Sequence, residues 1–118
     1  PWYGRGQSEH RVGRFLYRQR RGELLLSTKV GRILRAPRRP EKFETGFWAG
    51  GLHFEHHFDY SYDGVMRAYE DSLQRLGMNR VDLLVIHDLD LWHQGSSTPI
   101  TAVSPLPWFS STRRLAAT

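Results

Sequence analysis

Two short apolar runs, Leu24-Leu25-Leu26 and Val81 to Ile86, flank a stretch in which Val65, Tyr69, Leu73 and Leu76 recur at helical spacing. Strand, helix, strand in that order implies a parallel pair, because parallel strands need a long crossover and a helix supplies it. Neither run alternates with period two, the pattern expected where both faces of a strand are buried, so 23–30 and 81–86 read as interior strands. The fold class is therefore α/β. Asp82, near the start of the second run, has to lie at the solvated bottom edge of the sheet.

The helices that join these strands have start and stop signals. Ser8 offers a hydroxyl to the free amides of a first turn, and Glu9 adds favourable negative charge there. Val12, Phe15 and Leu16 then fall on one face, and Gly22 supplies a left-handed terminator, which predicts a helix over 8–21. Ser61 caps the second helix and Gly77 stops it. Between 32 and 60 no helical period is sustained. Pro37, Pro40 and Gly46 punctuate the stretch, and Gly50-Gly51 suits the turn of a small hairpin. A connection this long inside a compact domain is usually functional or mobile.

The chain carries a net charge of +5, which raises the question of nucleic acid. Its arginines concentrate at 11, 14, 18, 20 and 21 on the first helix and at 32, 35, 38 and 39 in the loop that follows. No recognised nucleic-acid module accompanies them, so a solvated helix face and loop account for the charge, and a contact with cofactor phosphates is the other use open to them. The absence of cysteine excludes disulfides and zinc-thiolate sites. No apolar run has the length of a membrane span, and the expected setting is cytoplasmic.

Three separated motifs carry the chemistry. They are Pro1-Trp2-Tyr3-Gly4-Arg5-Gly6-Gln7-Ser8-Glu9, the run Ser27-Thr28-Lys29-Val30-Gly31, and a strand that ends in Ile86-His87. In this order they resemble the aldo-keto reductases, which carry an acid tyrosine in a segment like Ala-Pro-x-Tyr-Gly-x-Gly-x-Ser-Glu, a lysine in Ser-Thr-Lys-Val-Gly and a histidine in Leu-Ile-His. The stretch Tyr62 to Gly77, with Asp88-Leu89-Asp90 after the histidine, is most similar to the branch that oxidises aldoses such as L-fucose, and the branch acting on pyridoxal is close.

The resemblance implies a (β/α)8 barrel, in which strand ends converge on one face that bears the chemistry. It also implies an NAD(P)-dependent oxidoreductase, with Tyr3, Lys29 and His87 as the catalytic set. Reducing a carbonyl with a hydride donor needs a proton delivered to the oxygen, and oxidation needs that proton removed. A phenol serves best when a neighbouring cation favours its ionised form. The resemblance gives these parts to Tyr3 and Lys29, and to His87 a hydrogen bond to the same substrate oxygen. The family's aspartate, which pairs with the lysine, falls just upstream of Pro1.

A complete barrel needs about 250 residues, so 118 residues are expected to be a piece of a longer protein, with roughly two βα units. The likeness runs over 1–93. Residues 94–118, rich in Ser, Thr, Pro and Ala, read as an irregular tail, frame-shifted or disordered.

Aromatic residues crowd the long connection: Phe43, Phe47, Trp48, Phe54 and Phe58. Barrel pockets form from loops over the C-terminal strand ends, so Trp2, Trp48 and Phe54 are candidate substrate contacts, beside the alternative of a cluster that only guards the rim. His53, Glu55, His56 and His57 lack an evident helix or strand frame, and an exposed loop is expected there rather than a metal site. Gly4-x-Gly6 lacks the remaining glycine pattern of a dinucleotide-binding fold. Residues that hold the cofactor cannot be assigned. The partner expected is a small sugar or aldehyde, with no nucleic acid and no membrane. The competing reading is a catalytically incompetent fragment, or an interaction module with a basic surface.

Overall fold

The computed structural model describes residues 1–89 of the chain. A 3-10 turn at Tyr3–Gly6 leads into helix α1 (Gln7–Leu16), and a second such turn, Arg21–Glu23, precedes strands β1 (Ser27–Val30) and β2 (Arg32–Arg35). A third, Pro40–Lys42, precedes strand β3 (Glu55–Phe58), helix α2 (Tyr62–Leu76) and strand β4 (Leu83–Ile86). The tail expected over 94–118 lies outside the described residues, as does Asp90.

The expected βαβ unit is present. β1 pairs with β4 in parallel, Ser27 opposite Leu83 and Val30 opposite Ile86, with α2 in the connection between them. Ser61 caps α2 by accepting from the Gly64 amide, and Gly77 ends it at φ 63°, a backbone conformation that side-chain-bearing residues avoid. The stripe read from the sequence faces inward: Val65 and Leu76 are buried and Tyr69 packs against the core. Val65 and Ala68 meet Val30 and Ile33, while Leu76 meets Leu16 and Leu26. Burying each larger apolar side chain contributes about 1.5–3 kcal/mol. Among the described residues no helix is long and apolar enough to cross a membrane.

Several expectations are corrected. α1 stops at Leu16 rather than 21, its last turn tightening through bonds from Arg18 to Phe15 and from Gln19 to Leu16. Its N-cap is Gly6, not Ser8, and Gly22 belongs to a separate turn. Its inner face is Glu9, Gly13 and Leu16, whereas Val12 and Phe15 are exposed. The reason is close approach to α2: a Cβ on Gly13 would lie 2.2 Å from the Leu76 carbonyl oxygen, so only glycine fits the crossing. An apolar stripe set by larger residues would hold the helices apart.

The strands are not buried on both faces. β1 alternates, Thr28 and Val30 being buried and Ser27 exposed, and Leu24 and Leu25 precede the strand and are exposed. Leu83, Val85 and Ile86 of β4 are exposed as well. A sheet of two strands covered by helices on one side leaves its other face open. Asp82 sits at the bottom edge as expected, accepting from the Leu26 amide at 2.8 Å and from Arg21 at 2.6 Å.

The connection from 32 to 60 holds strands that the periodicity does not reveal. β2 and β3 form an antiparallel pair, Arg32 opposite Phe58 and Arg35 opposite Glu55. The hairpin therefore closes around the whole stretch 36–54 rather than at Gly50-Gly51, where Gly51 only turns back to the Trp48 carbonyl. It stands at the C-terminal end of β1, between that strand and α2.

Candidate active site

Register brings Lys29 and His87 together. Lys29 lies opposite Val85, and His87 is two residues further along, so both belong to the same face of the sheet by the period of two. The His87 amide donates to the Val30 carbonyl at 2.9 Å, extending the ladder past the end of β4. Tyr3 arrives from the other side on a tight turn in which Gly4, Arg5 and Gly6 all have positive φ, at 62°, 54° and 99°. Three left-handed residues in succession reverse the chain sharply enough to set the tyrosine over the strand ends.

The three side chains meet. The Lys29 ammonium donates to the Tyr3 hydroxyl and lies 4.6 Å from the centre of its ring. The His87 imidazole stacks on that ring, with centroids 5.8 Å apart and planes 23° apart. His87 is 3% exposed. Burial takes its imidazole down to about 4, Arg32 and Lys29 pushing the same way while Asp88 opposes them. At neutral pH the ring is neutral, with one donor and one acceptor nitrogen. Its Nδ1 has no hydrogen-bond partner among the described residues, and its Nε2 lies 3.5 Å from Asp88.

Charged groups behind the triad hold it in place. Arg32, expected in a solvated loop, is 3% exposed in β2 and pairs with Asp88. Its guanidinium lies 4.7 Å from the ring centres of both Trp2 and Phe58, distances at which cation and ring attract. The Tyr60 hydroxyl donates to the His87 carbonyl at 2.6 Å and reaches that of Asp88 at 3.2 Å. On the helix side Glu9 accepts from Thr28 at 2.5 Å and from Arg75 at 2.6 Å, tying α1, β1 and α2 together.

An aromatic group stands beside the tyrosine. Trp48 lies 5.8 Å from Tyr3 and 5.8 Å from Trp2, both edge to face, and Phe47 lies 4.7 Å from Trp48. Of the three residues singled out as substrate contacts, Trp2 and Trp48 thus adjoin the triad. Phe54 is placed elsewhere, lining a cleft with His10, Leu34 and Gln74. His56 packs on Trp2 at 4.3 Å, and burial, then the charges of Arg32, Arg5 and His57, hold it below the ordinary histidine range. His56 and His57 lie on β3, a strand rather than the loop anticipated. Among the described residues no group of three or more histidines, aspartates and glutamates could hold a metal.

Sequence reasoning missed Arg5, Arg32 and Tyr60. Both arginines are buried against rings, so a run of arginines and aromatics in alternating segments was the signal available. A groove of about 570 Å³ opens between α2 and β4, lined by Tyr62, Met66 and Leu83, and is apart from all three triad residues. A cleft of about 170 Å³ lies against Tyr3, Lys29 and Val85.

Comparison with known proteins bears on the family. The sequence model of the aldo/keto reductase family matches residues 1–109. A pyridoxal 4-dehydrogenase of Microbacterium luteolum is 45% identical over 97 residues, 75% of this chain and 28% of that protein. A D-threo-aldose 1-dehydrogenase of a Pseudomonas species is 38% identical over 94 residues, again 75% of the chain and 28% of the relative. The chain thus spans less than a third of the length of these relatives. No solved structure matches it.

Proposed function

The chain belongs to the aldo-keto reductase family, and from that premise we propose that it supplies the proton-transfer half of an NAD(P)-dependent oxidoreductase acting on a cyclic hemiacetal. The family's fold is a (β/α)8 barrel, and the parallel β1–β4 pair with its helices fits part of one. The observation that carries the proposal is the convergence of Lys29 and His87 on Tyr3 at the C-terminal ends of two adjacent parallel strands.

The substrate class follows from what the two relatives' names share. Pyridoxal and an aldose both close in water to a hemiacetal, a carbon that bears a hydroxyl, a hydrogen and a ring oxygen. Oxidising that carbon removes a hydride from carbon and a proton from oxygen and leaves a lactone. The donor set fits a hydride-accepting cofactor, because Tyr3, Lys29 and His87 are suited to moving a proton at an oxygen. A bound nicotinamide supplies the hydride acceptor or, in reverse, the donor.

The residues of this chain do the rest. Tyr3 takes the hydroxyl proton as the carbonyl forms, and the Lys29 ammonium stabilises the ionised phenol that receives it. His87, neutral and buried, directs a ring nitrogen at the same substrate oxygen and fixes its angle of approach. Trp2 and Trp48 beside the tyrosine offer apolar surface against which a sugar or pyridine ring packs.

The test is an assay of the protein that carries this chain with pyridoxal and with L-fucose, each with NAD+ and with NADP+, followed by nicotinamide absorbance. Turnover of at least one pair is expected, with lactone as product, and Tyr3→Phe should lower kcat by about 10²–10⁴-fold. Absence of lactone would sink the substrate class. Undiminished turnover in Tyr3→Phe would sink the part given to that residue.

A further inference from the structure

The stretch 36–54 carries Phe47 and Trp48, and its own side chains do little to hold it. Of its residues Gly51 alone is buried, its only regular element is the turn Pro40–Lys42, and Phe47 is 77% exposed. Something other than a hydrophobic core fixes Trp48 at 5.8 Å from the Tyr3 ring.

Its anchors come from the turn that bears Tyr3. The Arg5 guanidinium donates through Nε to the Thr45 carbonyl at 3.2 Å and through Nη1 to the Phe54 carbonyl at 2.8 Å. The Leu52 amide donates to the Gly4 carbonyl at 3.0 Å, and the Gln7 side chain donates to the Gly50 carbonyl at 2.8 Å. Four points of the loop, on both sides of Trp48, are therefore held by Gly4, Arg5 and Gln7. Arg5 spans the loop at its two ends. It is 8% exposed, and its guanidinium lies 5.1 Å from the Trp2 ring centre and 4.9 Å from that of Phe43. Its backbone, at φ 54°, occupies a region that non-glycine residues seldom visit. A buried cation in an unfavourable backbone conformation persists only where its contacts compensate.

We infer that Arg5 is a positioning residue that pins the 45–54 loop to the turn carrying Tyr3, and so sets how well substrate is gripped against Trp48. The inference rests on the proposed function for its substrate and goes beyond it in assigning a determinant of substrate affinity. The pin reads loop backbone rather than loop side chains. The aromatic wall can therefore take different residues without losing its place over the tyrosine, which makes this loop the part of the site where substrate choice is set. Release of the loop acts on binding and leaves proton transfer at Tyr3 intact.

The test compares the protein that carries this chain with its Arg5→Met variant, which keeps an apolar stem and removes the donors, and with Gln7→Ala, which removes an exposed contact from the same loop. In Arg5→Met the KM for pyridoxal or L-fucose is expected to rise by about tenfold, with kcat and nicotinamide affinity changed by less than about twofold. Chymotrypsin should cut at Phe47 and Trp48 faster in both variants. If Arg5→Met does not fold, Gln7→Ala carries the test by the same two readouts. Unchanged KM with unchanged cleavage overturns the pin, and so does a fall in kcat at constant KM. Tyr3→Phe run in parallel separates the two ideas: undiminished turnover there defeats the part given to Tyr3 in the proposed function, while the cleavage rate still decides the pin.

Discussion

The Lys29 ammonium donates to the Tyr3 hydroxyl across two segments that are 26 residues apart in sequence, and it also lies 4.6 Å from the centre of the tyrosine ring. Lysine is thereby placed to stabilise negative charge on the oxygen when the phenol gives up or receives a proton. Lys29→Met keeps the length of the side chain and removes the charge. The expected result is a fall in kcat of about a hundredfold, with KM within about twofold, because the interaction strengthens only as charge develops. Steady-state kinetics of the protein that carries this chain check it, and an equal rise in KM would assign Lys29 to ground-state binding instead.

His87 links stability to pH. Its imidazole titrates at about 4 in the folded protein against an ordinary 6.5, burial being the main cause. Between those values the unfolded chain binds a proton that the folded chain refuses, so stability falls as pH falls through this window, by up to about 1.4 kcal/mol per pH unit. Asp82 acts in a different range. Its carboxyl is held below the usual 3.8 by the Leu26 amide and Arg21, so the stability it gives is present above that value and is lost at lower pH. Urea unfolding from neutral pH to about 4 should show the slope, and His87→Phe should reduce it, leaving the share that His56 contributes. An equal slope in both proteins would assign the loss to other groups.

How far the sequence reveals this arrangement depends on the range of the interaction. Ser61, Gly77 and the stripe from Val65 to Leu76 act within one helix, so their pattern reads directly, and α2 lies where it was expected. Tyr3, Lys29 and His87 are recognisable from three local motifs, and strand parity then brings two of them to one face. The β2–β3 pair escapes such reading because Arg32–Arg35 and Glu55–Phe58 are short, rich in polar residues and separated by a long irregular stretch. Arg32 looks like solvated charge, and Arg5 like a spacer in the tyrosine's motif, for a related reason. What buries them are the rings of Trp2, Phe43 and Phe58, which reach them only in the folded chain.

The crossing of the two helices gives a stability prediction. A methyl group on Gly13 would meet the Leu76 carbonyl oxygen, carbon and Cα at 2.2, 2.7 and 2.9 Å, all of them backbone atoms that no rotamer change can move. Alanine improves helix propensity by about 1 kcal/mol, yet α1 must retreat from α2 and loosen Leu16 from Leu76. Gly13→Ala is expected to destabilise by about 1–3 kcal/mol net. A lower urea midpoint with an unchanged slope would show it. A higher midpoint would mean that the crossing relaxes without cost.

Tyr60 tests whether the strand end is held from outside the triad. Its hydroxyl donates to the His87 carbonyl at 2.6 Å, and its ring sits where any side chain at Gly31 would go, 2.2 Å from an added Cβ. Gly31 itself has a φ of 97°, so the chain leaves β1 along a path that lets the ring reach the end of β4. Tyr60→Phe keeps the ring and removes the donor, costing about 1 kcal/mol of stability. Because the lost bond lies on the backbone of His87, the loosened residue should hold its imidazole less well over Tyr3, and kcat is expected to fall by about fivefold. Nicotinamide binding should stay the same. A stability loss without any change in kcat would make the hydroxyl a strand-end fastener alone, and equal losses in kcat and nicotinamide affinity would show that the disturbance spreads through the whole site.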